Sequence, residues 1–506
     1  MPSDIAREFT MNEPINRRGF VKSLAVVGTA SLMAPQAFAQ TTRRPKSKAA
    51  PRSSSSTKTL PARGEFIVRS GYVLTMDETL GDLPDGDVHV KNGAIVAVGK
   101  NLKAPGALEL DARRMIVMPG FVDTHWHMWT TYLRCMAGDK MEDGYFPMTT
   151  RYGQLMQPED MYCSTRLAAA EAIYSGTTTV NNECHNVRTL EHAEQDIRAL
   201  SELGLRAQWS YGAYRGMPAG QLRDLASFEK LHSNWGKYSS DGLLTLAYIW
   251  GGMPMNNGGN PPPAEWIANA KKEIETAREL GCRITMHLAA KEDLPPGQVQ
   301  AQAAYLKNDM LLIHMLGTTP DEMKLVAAAG ASISASPGSE LRIGYGTTKV
   351  CDFMDAGINV AASVDTAPLT GNCHMPGILK LMRNAECAKA HDEFKLTARR
   401  ALEIGTIRGA RALGIEDKVG SLKPGKRADL ILIQTNVINM GVFTDPAHMV
   451  VEAVEPSNVD MVVIDGRILK RNGKFTALVP EQIIEDAVAT RERVGKRIGN
   501  LAGRAT

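Results

Sequence analysis

At 506 residues with a balanced, 22% charged composition, the chain is long enough for a large buried core and reads as an ordinary globular protein of two or three domains, or as one large α/β barrel with attachments. Its formal charge of +3 is set by the first 64 residues, which carry 11 Lys and Arg against 3 Asp and Glu. The remainder, with 47 basic against 52 acidic residues, is acidic by about 5, which leaves no basic face for a nucleic-acid partner. Seven cysteines at irregular spacing, with no C-x-x-C pair, argue against a disulfide framework.

The first element is a targeting segment. Arg17 and Arg18 precede a short apolar stretch from Leu24 to Ala34 and the small-residue site Ala37-Phe38-Ala39. This pattern resembles a bacterial twin-arginine signal over residues 1–39, which implies the twin-arginine export machinery as a partner and a periplasmic or secreted protein. The apolar stretch falls short of the ~20 residues a bilayer span requires, so no stable membrane anchor is expected. Residues 40–62, rich in Ser, Pro and Lys, read as a disordered linker.

From Phe66 the text changes to short β-like runs, "FIVRSGYVLTM" and "GDVHVKNGAIVAVG". Runs of the same character, "ADLILIQ" and "VDMVVIDGRILKRNG", occur near the other end. Residues 63–117 and 418–480 are expected to pair as a small β-sandwich, followed by a C-terminal helix or tail over 481–506. Between them, eight apolar runs alternate with mostly helix-periodic text: 115–125, 176–183, 205–212, 243–250, 282–289, 311–316, 331–336 and 358–365. Eight such strands in about 250 residues fit a TIM (β/α)8 barrel over 118–417 better than a doubly wound open sheet.

In a TIM barrel the chemistry collects at the C-terminal ends of the strands. Reading only those ends yields His125 and His127 on the first strand, His287 on the fifth, His314 on the sixth and Asp365 on the eighth. Residues two apart on a strand share a face, so His125 and His127 point together and Trp126 points away. Three imidazoles and a carboxylate suit Zn²⁺ or Fe²⁺.

"PGFVDTHWH", "MHLA", "LLIHML", "SVDTAP" and the tail "ALEIGTIRGARALGIEDKVGSLKPGKRADLILI", in this order over residues 65–475, resemble the amidohydrolase superfamily. The likeness is to the branch of s-triazine chlorohydrolases, cytosine and guanine deaminases and imidazolone hydrolases. The resemblance implies a distorted (β/α)8 barrel with a β-sandwich from both chain ends, and a metal shell of His125, His127, His287 and Asp365. It also implies that Asp365 handles the proton of the attacking water while His314 polarises the substrate. One divalent ion is expected, because the fourth strand, "LLTLAYIW", has no Lys or Glu to bridge two.

The chain departs from that branch at two places. Its relatives carry a glutamate three residues after the strand-five histidine to protonate a ring nitrogen; here that position is Ala290, with Glu292 two residues on. A histidine after strand four is also missing, in "WGGMPMNNGG". An N-heterocycle without that acid forgoes a contribution of roughly 10² to 10⁴ in rate, whereas a metal alone polarises a carbonyl. The sequence therefore points to hydrolysis of an amide, carbamate or urea-like C–N bond in a small molecule. Alternatives are deamination or dechlorination of an N-heterocycle, a metal-containing binding protein without turnover, and a lyase or isomerase on the same scaffold. Trp126, Trp129, Tyr132, Met253, Met255 and Met375 are candidates for an apolar substrate wall, His185 and His374 for polar substrate contacts, and relatives of this kind form homo-oligomers.

Overall fold

The computed structural model describes residues 59–256 and 260–502. The first 58 residues, and with them the twin-arginine reading and most of the linker, lie outside the described residues.

The N-terminal block forms β1 (Glu65–Leu74), β2 (Asp82–Lys91), β3 (Ala94–Gly99), β4 (Leu108–Asp111) and β5 (Met115–Pro119). Eight further strands follow: β6 (Phe121–Trp126), β7 (Thr177–Cys184), β8 (Arg206–Tyr211), β9 (Leu244–Ile249), β10 (Arg283–Leu288), β11 (Met310–His314), β12 (Ser332–Ala335) and β13 (Asn359–Ala362). The chain closes with β14 (Leu430–Gln434), β15 (Val459–Ile464), β16 (Arg467–Arg471), β17 (Lys474–Phe475) and a helix, Pro480–Ala502. No helix among the described residues is long and apolar enough to cross a membrane.

Strands β6 to β13 pair in chain order, all parallel. The ring is completed by a parallel bridge between Trp126 and Asp365, in which His127 N–H donates to the Asp365 carbonyl (2.7 Å) and Asp365 N–H to that of His125 (2.9 Å). This is the (β/α)8 barrel expected from the alternation of apolar and helical text. The helix ends follow local chemistry. Pro158–Ser175 opens on a Gln157/Asp160 capping box and stops at Gly176, whose φ of +89° few other residues adopt.

The end segments join in one nine-stranded sheet, in which β14 pairs with β5 across the chain ends. Alternation divides its faces. Val117, Leu430, Leu432, Met461 and Val463 bury into a core of the sheet's own, while Ile116, Met118, Ile431, Ile433, Val462 and Ile464 belong to the main barrel core.

One expected strand divides. Residues 115–125 read as a single apolar run, but the chain leaves the end sheet at Pro119 and enters the barrel at Phe121. Gly120 makes the transfer, since a Cβ at this position would collide with Thr178 at the start of β7.

Candidate metal centre

Closure of the barrel assembles the site. The two backbone hydrogen bonds that join β6 to the end of the last strand place Asp365 against the histidine pair, with Asp365 Oδ1 3.3 Å from His125 Nε2 and 3.5 Å from His127 Nε2. Buried Asp123 braces the same junction by accepting from the N–H groups of His125 (3.1 Å) and Val364 (3.3 Å), and burial pushes its carboxyl up to about 7. His287 arrives from β10 with its ring centroid 4.8 Å from that of His125, and His314 from β11 at 5.7 Å.

Ring orientation is fixed by partners. His127 Nδ1 donates to the Glu183 carbonyl (3.0 Å), which leaves Nε2 for the site, and His314 Nδ1 donates to the buried carboxylate of Glu340 (2.9 Å). The backbone is held in an unusual state where these residues emerge: His314, Met315 and Asp365 have φ of 72°, 64° and 64°. Non-glycine residues in the left-handed region cost about 1 kcal/mol or more each and concentrate at functional sites.

A second carboxylate of the rim was not among the residues singled out from sequence. Glu183, fully buried at the end of β7, sets Oε1 3.2 Å from His125 Nδ1, and Oε2 3.5 Å from His185 Nε2 and 3.6 Å from His287 Nδ1. Burial alone would lower the His125 imidazole, but Glu183 and Asp365 on either side hold it up at about 10. Burial likewise favours a neutral Asp365 carboxyl, yet contact with His125 brings it well below the usual carboxylate range. His127 and His287, driven by burial, stay neutral at ordinary pH, the form a metal requires.

The donors fit a divalent cation. His125, His127 and His287 bring ligand atoms within 4.8 Å of one another, and so do His125, His314 and Asp365. Both nitrogens of His125, both oxygens of Glu183 and Nε2 of His185 are buried without a hydrogen bond of acceptable geometry. Such groups are stable in a protein interior when they coordinate an ion.

Over the cluster lies a cavity of about 320 Å³ whose wall includes Tyr145, His185, Arg215, Trp250, Ala290 and Tyr345. Arg223 also faces it, ion-paired to Glu273. Arg215 stacks over the Tyr145 and Phe146 rings, and among the described residues it has no carboxylate partner. Glu292 does not replace the acid missing at Ala290. Its Oε2 accepts from Thr347 N–H (3.1 Å), outside the cavity wall.

Of the substrate contacts expected from sequence, His185 lines the cavity and the other seven do not, Tyr132 and Met375 being packed in the main core. Trp126 is still on β6, and the alternation that unites the two histidines turns its ring into the barrel core. Trp129 lies in a short 3-10 helix, Met128–Leu133, packed in the same core beside Gly153. Met253 packs on that core from its loop, tied through its N–H to Gln302 Oε1 (2.7 Å). His374 precedes the helix Met375–Ala390 and faces Glu455 at 4.0 Å. Glu183 was legible by the rule that found the histidines, since it ends the second strand. Arg215 and Arg223 stand in irregular loops that carry no periodic signal. A larger groove, about 990 Å³ beside the C-terminal helix, contains no histidine and lies away from the cluster.

A closed parallel barrel with buried imidazoles and a carboxylate at its C-terminal rim defines a metal-dependent hydrolase scaffold. The chain belongs to the amidohydrolase family, whose family model matches residues 116–469, and is a hydrolase acting on C–N bonds other than peptide bonds. It is 27% identical over 435 residues to the 5-methylthioadenosine/S-adenosylhomocysteine deaminase of Acetivibrio thermocellus, covering 83% of this chain and 96% of that one. It is 26% identical over 451 residues to the 5'-deoxyadenosine deaminase of Methanosarcina barkeri, covering 86% and 99%. In fold it is similar to an adenosine deaminase from Xanthomonas campestris with bound zinc (TM-score 0.72, 22% identity, 86% and 100% covered). It is equally similar to the atrazine chlorohydrolase of Arthrobacter aurescens TC1 complexed with zinc (TM-score 0.73, 22% identity, 84% and 99% covered).

Proposed function

We propose that the protein is a zinc hydrolase that cleaves an amide-like C–N bond, in an amide, carbamate or urea, of a small molecule carrying an anionic group. The observation that carries this reading is the cavity wall itself: Ala290 stands where a ring-protonating acid would be needed, Glu292 is engaged with Thr347, and a guanidinium faces the space above the histidines. Zinc is the ion of both structural neighbours.

In this reading His125, His127, His287 and Asp365 hold the metal, which when bound supplies Lewis acidity and lowers the pKa of a water toward ~7. The chain's own groups do the rest. Asp365 takes a proton from the attacking water and delivers it to the departing nitrogen, so that a C–O bond forms as the C–N bond breaks. His314, anchored through Nδ1 by Glu340, turns Nε2 toward the cavity, where it polarises the substrate's carbonyl oxygen. Arg215 orients the substrate by its anionic end, and Tyr145, Trp250 and Tyr345 exclude water around it.

A second reading, deamination of an aminated N-heterocycle, is favoured by the names of the curated relatives. A steady-state screen of the zinc-loaded protein separates the two. The first expects amine release from acidic amides, carbamates or ureas; rapid ammonia release from aminopurines or aminopyrimidines, with amides untouched, establishes the second. The twin-arginine pattern of residues 1–39 supports an exported enzyme, and fractionation of cells expressing the full chain, with Arg17 and Arg18 intact or both changed to Lys, tests it.

A further inference from the structure

The C-terminal helix, Pro480–Ala502, has two apolar stripes, and the fold covers only one of them. Ile483, Ala487, Thr490 and Val494 recur at helical spacing and are buried toward the helix Pro158–Ser175. Charges on that side are met within the chain, Asp486 by Arg166 (3.0 Å) and Arg493 by Asp160 (3.0 Å). Ile484 and Val488 form the other stripe. They are 54% and 53% exposed, along the edge of the groove of about 990 Å³ whose opposite wall includes Tyr174 and Phe475. Two branched aliphatic side chains left half in water, one turn apart beside an apolar groove larger than the metal cavity, mark an interaction surface.

The charges that flank the stripe identify its partner. Glu481, Ile484, Val488 and Arg491 all line the groove and lie within about 80° of one another around the helix at 3.6 residues per turn. Among the described residues, neither Glu481 nor Arg491 has an ion-pair partner. The order acid, apolar, apolar, base is self-complementary about the level of Asp486. An antiparallel copy centred there sets Ile484 against the partner's Val488 and Glu481 against the partner's Arg491, each contact occurring twice. A parallel copy would oppose like charges. A single face that meets itself about a two-fold axis is the isologous contact of a C2 dimer.

We infer that this groove is a homodimer interface in which the C-terminal helices of two copies pack antiparallel, each lodging Ile484 and Val488 in the groove of the other and pairing Glu481 with the partner's Arg491. The apolar pair supplies the adhesion. The two ion pairs at its ends fix direction and register, because exposed pairs add little affinity of their own but like-charge contacts are strongly disfavoured.

The test is sedimentation velocity and light scattering of the full-length protein across the micromolar range. The wild type is expected to be dimeric, and the double variant Ile484→Asp/Val488→Asp monomeric with its fold intact. Glu481→Arg and Arg491→Glu should each raise the dimer Kd about tenfold or more, since two like-charge contacts replace two ion pairs. An equimolar mixture of these two variants should recover the wild-type Kd, because every contact again joins opposite charges. A wild type that is monomeric throughout overturns the inference, and its co-sedimentation with phospholipid vesicles would assign the exposed stripe to a lipid surface instead. A dimer that survives Ile484→Asp/Val488→Asp overturns it as well, by placing the contact on another face. Failure of the mixture to recover affinity overturns the antiparallel register, and the charge variants decide this even if the aspartate variant fails to fold.

Discussion

On the proposed function, Arg215 in the cavity wall would select the substrate without touching the chemistry. Its guanidinium is spread over the Tyr145 and Phe146 rings at 5.7 and 5.2 Å from their centroids and donates to the Tyr145 hydroxyl at 3.5 Å, which fixes its plane and leaves its other donors to a ligand. A charge-assisted contact of this kind contributes about 1.5 to 3 kcal/mol, so Arg215→Met should raise KM for an acidic substrate roughly ten- to hundredfold. The same variant should leave kcat, and the KM of a neutral analogue, within about threefold, because the metal donors lie on other strands. Equal losses for acidic and neutral substrates would assign Arg215 to packing instead. Residue identity at the strand ends was legible because a strand's exit carries chemistry whatever its loops do, and so His125, His127, His287, His314 and Asp365 meet. The substrate wall was not legible. Trp126 and Trp129 follow the histidines closely in sequence but belong to the core, and Arg215 comes from a loop whose path only the folded barrel determines.

Two elements set the geometry between the end sheet and the barrel. At Gly120 the chain passes from β5 to β6 directly against Thr178, so Gly120→Ala should destabilise by about 1 to 3 kcal/mol through overpacking, with Thr178→Ala recovering part of the loss. Additive losses in the double variant, measured by denaturant unfolding, would refute a direct clash. The sequence showed the apolar run but not this break, because Pro119-Gly120 carries no loss of hydrophobicity on either side. On the far edge, Lys470 of β16 buries its ammonium against the helix Pro158–Ser175, donating to the Tyr174 carbonyl at 2.7 Å, and burial lowers its pKa from 10.5 to about 8. The unfolded chain keeps that proton up to about pH 10.5, so between about 8 and 10.5 it binds more protons than the fold. Raising pH through that window therefore stabilises the wild type relative to Lys470→Met, by no more than about 3 kcal/mol in total. Parallel stability curves for the two proteins across the window would show that Lys470 titrates alike in both states.

At the scale of the molecule, the proposed metal donors are drawn from the first, fifth and last strands of the barrel, so a bound cation would tie the ring at its point of closure. His125 and Asp365 are 240 residues apart in sequence, yet they are joined by side chains and by the backbone bonds that finish the barrel. Without a cation, the buried cluster places an imidazole between two carboxylates and leaves several polar atoms without partners. An ion that binds only the folded chain stabilises it by about 2.7 kcal/mol when free ion stands at 100 times Kd. Chelation should therefore abolish activity and also lower Tm, and added Zn²⁺ should restore both. Asp365→Asn should melt close to the stripped wild type and respond weakly to Zn²⁺, whereas Arg215→Met should keep the full zinc-dependent shift, because its side chain serves the substrate and not the ring. If stripping verified by elemental analysis leaves Tm unchanged, the cation serves chemistry alone, and closure of the barrel rests on the backbone hydrogen bonds of His125 and His127 with Asp365.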